Sequence, residues 1–183
     1  MKKIISLILT LLLIFPTAVF AADSNESSDS VEALTALNII VGDESGDLML
    51  DKGVTRAEFS TIVVRILGLS TTESKVIFTD VPLSHWANSA INSCYNIEII
   101  NGYGDGRFGP EDEITYEQAV KMITILMGYE PMAQAKGGYP SGYLAVAAQT
   151  KITNGVNNAM TREDVIKLIY NAIQSPKMSQ TSF

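Results

Sequence analysis

Hydrophobic positions recur along three stretches of this chain with the spacing of one helix face. Phe59, Ile62, Val63, Ile66 and Leu67 follow Thr55-Arg56-Ala57-Glu58. Ala119, Met122, Ile123, Leu126 and Met127 follow Thr115-Tyr116-Glu117-Gln118. Val165, Leu168, Ile169, Ala172 and Ile173 follow Thr161-Arg162-Glu163-Asp164. Steps of i, i+3, i+4, i+7 and i+8 lay one apolar stripe along one side of a helix. Each stripe starts behind a threonine, whose hydroxyl can accept from a free backbone N–H of the first turn. Glu58 or Gln118, three residues on, can reach back to the threonine N–H. Losing such a cap costs about 1 kcal/mol, and Asp164 is expected to make a weaker version of it. Gly68 and Gly128 are placed to close the first two helices in the left-handed conformation.

A weaker apolar pattern precedes each of these helices. Val31, Leu34 and Leu37 lead to Gly42; Ala87, Ala90, Ile91, Cys94 and Ile97 lead to Gly102; Tyr143, Leu144, Ala147 and Ala148 lead to Gly155. In each case the glycine is expected to turn the chain away from the helix end. A first helix, a glycine-containing turn and a threonine-led second helix make one unit. Three units run over about 31–69, 78–129 and 138–173, with loops that shorten from the first to the third. A lone two-helix unit cannot cover its stripe, whereas three can bury their stripes against one another. The expected fold is all-α: three tandem helix–loop–helix repeats in one domain over 31–174, followed by a polar tail at 175–183.

Ahead of the repeats, Met1-Lys2-Lys3, the apolar run from Ile4 to Phe15 and the small residues around Ala21 read as a secretory signal peptide over 1–21. The run is too short and wrongly flanked for a membrane span. Residues 22–30 read as a polar, disordered leader. Cleavage removes Lys2 and Lys3 and shifts the net charge from −7 to about −9. So acidic a chain lacks the basic face that nucleic acid requires, and no second long apolar run offers a membrane span. Cys94 is the sole cysteine, which excludes an internal disulfide; its apolar surroundings suit a small buried side chain rather than a reactive thiol. The acidic runs at Asp43, Asp47 and Asp51 and at Asp105 to Glu113 lack the alternating ligands of a calcium loop. One histidine, no paired zinc ligands and no serine elbow leave no catalytic residue, cofactor or metal to expect, so the chain does not read as an enzyme.

The segments Phe78-Thr79-Asp80-Val81, His85-Trp86-Ala87, Gly102-Tyr103-Gly104-Asp105-Gly106 with Phe108 and Pro110, and Ile114-Thr115 resemble the S-layer homology repeat. Val54 to Phe59 and Met160 to Glu163 are similar to the family's second-helix start, and Gly138 to Tyr143 is similar to the opening of divergent third repeats. The resemblance implies a pseudo-threefold helical bundle with grooves between repeats. It implies that the grooves hold secondary cell-wall polysaccharide, often through a pyruvylated, anionic terminal sugar. The implied role is non-covalent attachment of a secreted protein to the bacterial wall or surface layer.

Local charge has to reconcile an acidic protein with an anionic glycan. Arg56 and Arg162 open their helices, where a cation opposes the helix dipole. That placement makes sense if an anion docks there, held by free N–H groups and a guanidinium. The competing reading pairs the two arginines with Asp or Glu of a neighbouring repeat. On the first reading, Arg56→Ala or Arg162→Ala weakens wall binding without unfolding. Tyr116 takes the arginine's place in the second unit, where it can stack on a sugar or donate a hydrogen bond. Trp86, the only tryptophan, suits the C–H face of a pyranose or a structural plug at the groove; Tyr139 corresponds to it in the third unit. His85 suits a helix start or groove wall. Asp80 is expected to brace the start of its first helix, and by resemblance lies near the groove. Gly102, Gly104 and Gly106 read as turn formers that also let a sugar approach the backbone. By resemblance Tyr103 belongs to the glycan side of this segment. Asp105 reads as a turn residue or a hydroxyl acceptor, and Arg107 as exposed extra charge. Two other readings stand beside wall binding: an envelope protein–protein assembly module with degenerate repeats, and the anchor segment of a larger surface enzyme.

Overall fold

The computed structural model describes residues 22–70 and 74–177, with side chains from Ser28 onward. The expected signal peptide at 1–21 and the end of the expected tail, 178–183, lie outside the described residues. The described chain is helical: α1 (Ala22–Ala36), α2 (Arg56–Leu67), α3 (Asn88–Asn96), α4 (Tyr116–Leu126), α5 (Glu130–Ala135), α6 (Ser141–Gln149) and α7 (Arg162–Gln174). Among these residues extended pairing is confined to two isolated antiparallel bridges, Gly53 with Thr161 and Thr55 with Glu113. No helix among them is long and apolar enough to cross a membrane.

The helices α2, α4 and α7 begin with the reciprocal caps that the sequence predicts. Glu58 N donates to Thr55 Oγ1 at 3.2 Å, and Thr55 N donates to Glu58 Oε2 at 2.8 Å. The Asp164 version is not weaker in its contacts. Its carboxylate is buried and accepts from Thr161 N at 3.1 Å, and it also takes Asn157 N at 3.0 Å. Gly68 closes α2 in the left-handed conformation.

The first helices end differently from the sequence expectation. The left-handed residue is Asn38, Glu98 or Lys151 (φ 56°, 61° and 63°), in each unit four positions ahead of the glycine. Ile39, Ile99 and Ile152 then donate back to Leu34 O, Cys94 O and Ala147 O, forming Schellman-type ends. These three isoleucines are buried, whereas Leu37 and Ile97, expected on the stripe, are exposed at the point where the chain leaves the helix. Gly102 is needed for space instead: a Cβ there would sit 2.5 Å from Arg107 O. The loops do not shorten progressively. Asn38 to Thr55 and Glu98 to Thr115 each span seventeen positions, and only Lys151 to Thr161 is short, at ten.

Two further departures concern the ends of the repeats. The polar segment 22–30 forms the first turns of α1 rather than an irregular leader. Ser30 and Leu34 are buried and Val31 packs on the core, so the helix is anchored there and extends N-terminally at little cost once nucleated. The helix α5 has no counterpart in the expected pattern; six residues beginning Glu130-Pro131 are too few to display a period.

Packing passes from unit to unit. The helix α2 lies against α3, α4 against α6, and α7 against α1, so each second helix covers the first helix of the next unit and the last closes on the first. Phe59, Ile91, Ile123, Tyr143, Ile166 and Leu168 are fully buried where these stripes meet. Each such side chain contributes about 1.5–3 kcal/mol when removed from water. Cys94 is part of this core, with Sγ donating to Ser60 O at 3.5 Å. Burial pushes its thiol up to about 12, so it is not a thiolate at neutral pH.

Candidate functional site

The start of each arginine-led helix is sealed by the loop of an adjacent unit. Arg56 N donates to Asp112 O at 2.9 Å and Ala57 N to Pro110 O at 3.0 Å. Arg162 N and Glu163 N donate in the same way to Lys52 O at 2.8 Å and Leu50 O at 2.9 Å. With the threonine cap taking the next N–H, these first-turn donors are occupied. The expected carboxylate site of free helix N–H groups is therefore absent, because loop carbonyls fill it.

The guanidinium groups continue the same clamp. Arg56 is buried and donates through Nε to Phe108 O at 2.9 Å, through Nη1 to Gln118 Oε1 at 2.9 Å and through Nη2 to Asn101 O at 3.2 Å. It is stacked between Tyr103 and Phe108, 4.8 and 4.5 Å from their ring centres. Burial pushes its pKa down, partly offset by Tyr103, Asp112 and Asp80; arginine stays charged regardless. Arg162 donates to Leu48 O at 2.7 Å and Val41 O at 2.9 Å, with Glu58 Oε1 at 4.0 Å. The competing expectation of arginine–carboxylate pairs thus holds only at that long contact; main-chain carbonyls are the chief partners. They explain how a cation is tolerated at a helix start, since carbonyl oxygens face it.

Each clamp walls a groove. The first, about 220 Å³, lies among Ile40-Val41-Gly42, Arg162, the α2 residues Glu58, Thr61, Ile62 and Arg65, and Trp86. The second, about 180 Å³, lies among Ile99 to Tyr103, Phe108, Arg56, the α4 residues Gln118, Lys121 and Met122, and Tyr139. The two are equivalent. A shift of sixty positions carries 40–42 onto 100–102 and Glu58, Thr61 and Ile62 onto Gln118, Lys121 and Met122. Trp86 and Tyr139, 62% and 51% exposed, take the same place at the two rims.

Of the expected site residues, the second groove gathers Arg56, Gly102, Tyr103 and Tyr139, and the first gathers Arg162 and Trp86. Asp80 does not brace a helix start. It accepts from Phe108 N and Gly109 N, both at 2.8 Å, and so holds the loop that carries the second groove. Partial burial pushes its carboxyl up, but these hydrogen bonds outweigh that and leave the pKa lowered. Asp105 and Arg107 lie outside both grooves. Asp105 accepts from Arg107 N at 3.0 Å and Arg107 Nε at 2.8 Å, which closes the exposed loop tip. Tyr116 packs against the core and lines neither groove. His85 takes Ala87 N on Nδ1 at 3.1 Å, which leaves Nε2 as the donor to Glu111 at 3.2 Å ahead of α3. Gln118, Lys121, Asn101, Glu58, Thr61 and Arg65 were not expected at a site; the sixty-position repeat is the signal that relates all of them but Arg65. Among the described residues no group of three or more His, Cys, Asp or Glu is placed to hold a metal ion.

The S-layer homology domain model matches residues 77–120, the segment that builds most of the second groove. The whole chain is 32% identical to the Middle cell wall protein of Brevibacillus brevis, covering 19% of that protein. It is 30% identical over its whole length to the Surface layer protein of Brevibacillus choshinensis, covering 18% of it. Over 96% of its length it is 31% identical to the Cell surface protein of Thermoanaerobacter kivui, covering 25% of it. The chain thus spans about a fifth to a quarter of the length of these curated relatives. Repeat motif, groove-forming segment and full-length similarity agree: the chain carries an S-layer homology domain match over residues 77–120 and is a secreted protein of the cell surface.

Proposed function

We propose that the chain is a non-catalytic anchor that holds secondary cell-wall polysaccharide in its two grooves, in part through an anionic sugar such as a pyruvylated one. The observation that carries this reading is the matched pair of rims. Trp86 and Tyr139 stand more than half exposed beside grooves whose other walls are an arginine, a loop and the side chains of one helix. A large aromatic face left in water gains by covering the C–H face of a sugar ring. The neighbouring guanidinium and carbonyl groups supply donors and acceptors for hydroxyls, and a rigid clamp lowers the ordering cost of binding.

The test is co-sedimentation with purified wall sacculi. Apolar area removed from water is worth about 25 cal/mol per Å², so Trp86→Ala combined with Tyr139→Ala is expected to weaken binding about tenfold or more. Sacculi stripped of secondary polymer with hydrofluoric acid are expected to retain none of the protein. Undiminished sedimentation of the folded double variant, or of wild type on stripped sacculi, refutes the reading.

A further inference from the structure

At the helix ends away from the arginine clamps the core stays open. A hollow of about 370 Å³ lies where α2, α4 and α7 finish, lined by Leu67, Leu126 and Ile173, with Leu37 from the end of α1. Leu37, Leu67 and Ile173 are 62%, 36% and 46% exposed, although each belongs to an apolar stripe. The charged residues in the lining are Arg65 and Lys177. Apolar surface gathered into a hollow gains free energy from any apolar group that covers it.

The chain is steered onto this hollow as it leaves α7. Ser175 Oγ shares its proton between Thr150 O at 3.0 Å and Asn171 O at 2.9 Å. The Tyr129 hydroxyl donates to Pro176 O. Lys177 then lies in the lining itself, so Met178 starts at the mouth. The segment Met178-Ser179-Gln180-Thr181-Ser182-Phe183 carries two apolar side chains and no charged one. Methionine adapts to irregular apolar space, and an uncharged segment meets no repulsion from Arg65 and Lys177. Six extended residues reach about 20 Å, enough to cross neighbouring helices packed about 8–10 Å apart.

A second copy of the chain suits the hollow less well. A stable interface takes about 800 Å² from each partner. Even at the ~150–250 Å² that an aromatic side chain buries, Leu37, Leu67 and Ile173 at their exposures present less than half of that. A tethered segment needs less area, because a short tether holds it at an effective concentration on the order of millimolar.

We infer that residues 178–183 lie across this hollow, with Met178 between Leu67 and Ile173. The segment thereby ties the last unit, through α7, to α1 and α2 of the first. The inference is independent of sugar binding, which it places at the other helix ends.

The test is methyl nuclear magnetic resonance on the full chain. The Met178 methyl is expected to show through-space contacts to the methyls of Leu67 and Ile173, and these should survive about tenfold dilution because they are intramolecular. Met178→Ser combined with Phe183→Ser is expected to shift the amides of Leu37 and Ile173 and to leave helicity unchanged. Leu67→Gln, which alters the receiving side at a partly exposed position, is expected to abolish the Met178 contacts. Absence of those contacts in wild type overturns the inference, as do unmoved Leu37 and Ile173 amides in the double variant. Contacts that fade on dilution assign the hollow to a second copy and overturn it equally.

Discussion

Replacing Arg56 by alanine is expected to lower the free energy of unfolding by about 3 kcal/mol, measured as a fall in the urea midpoint at unchanged slope. The guanidinium joins α2 to the next unit through three hydrogen bonds and lies between the Tyr103 and Phe108 rings. Its removal orphans buried carbonyls and opens a void between two aromatics, and both effects add. Arg56→Lys is expected to fall between, because one ammonium cannot serve three acceptors set around a planar fork. Arg162→Ala has a smaller expected effect, with two carbonyl partners and a more open setting. Loss of wall binding without loss of stability, which helix position alone suggests for both arginines, is therefore not expected of Arg56. An unchanged midpoint in folded Arg56→Ala would show that the loop is held by other means.

The second large effect is expected at Asp80. Its carboxylate receives two main-chain N–H groups at 2.8 Å and so fixes Phe108 and Gly109, the residues on which the Arg56 clamp closes. Asp80→Asn turns one of those acceptors into a donor facing a donor. A loss of about 1–2 kcal/mol is expected, discounted for partial exposure to water. The acid dependence follows from the same bonds. The folded carboxyl has a pKa below its ordinary value of 3.8, so its stabilisation is complete above that value and is lost as pH falls through the lowered one. Wild type and Asp80→Asn should therefore differ in stability at pH 7 and converge as pH falls below the lowered pKa. A constant difference across that range would place the stabilisation elsewhere than in the carboxylate.

Much of the scaffold is legible in the sequence because short-range rules govern it. A threonine followed three positions later by Glu, Gln or Asp makes a reciprocal cap whatever surrounds it, and all three form. The stripes behind them fill the core except at their ends, where Leu67 and Ile173 are exposed. Part of what escaped reading is set by partners distant along the chain. Arginine at a helix start looks like a site for an incoming anion, yet its acceptors are carbonyls 45 and 52 positions away. The helix ends at Asn38, Glu98 and Lys151 carry no glycine, so the conformation that usually announces a turn went unmarked. Asp105 and Arg107 look available until the loop tip closes them on one another. Trp86 and Tyr139 were legible as a pair, but their partners across the groove emerge only when the first two units are aligned position by position.

The central claim is that sugar lies in the two seams between clamped loops and rim aromatics. Its most direct test is an amide and indole shift map of the folded chain titrated with polysaccharide released from purified walls. Saturable shifts at Gly42, Gly102 and the Trp86 indole, with Leu37 and Ile173 at the opposite helix ends unmoved, are the predicted result. Shifts confined to that Leu37–Ile173 face, or none at saturating polysaccharide, would contradict it.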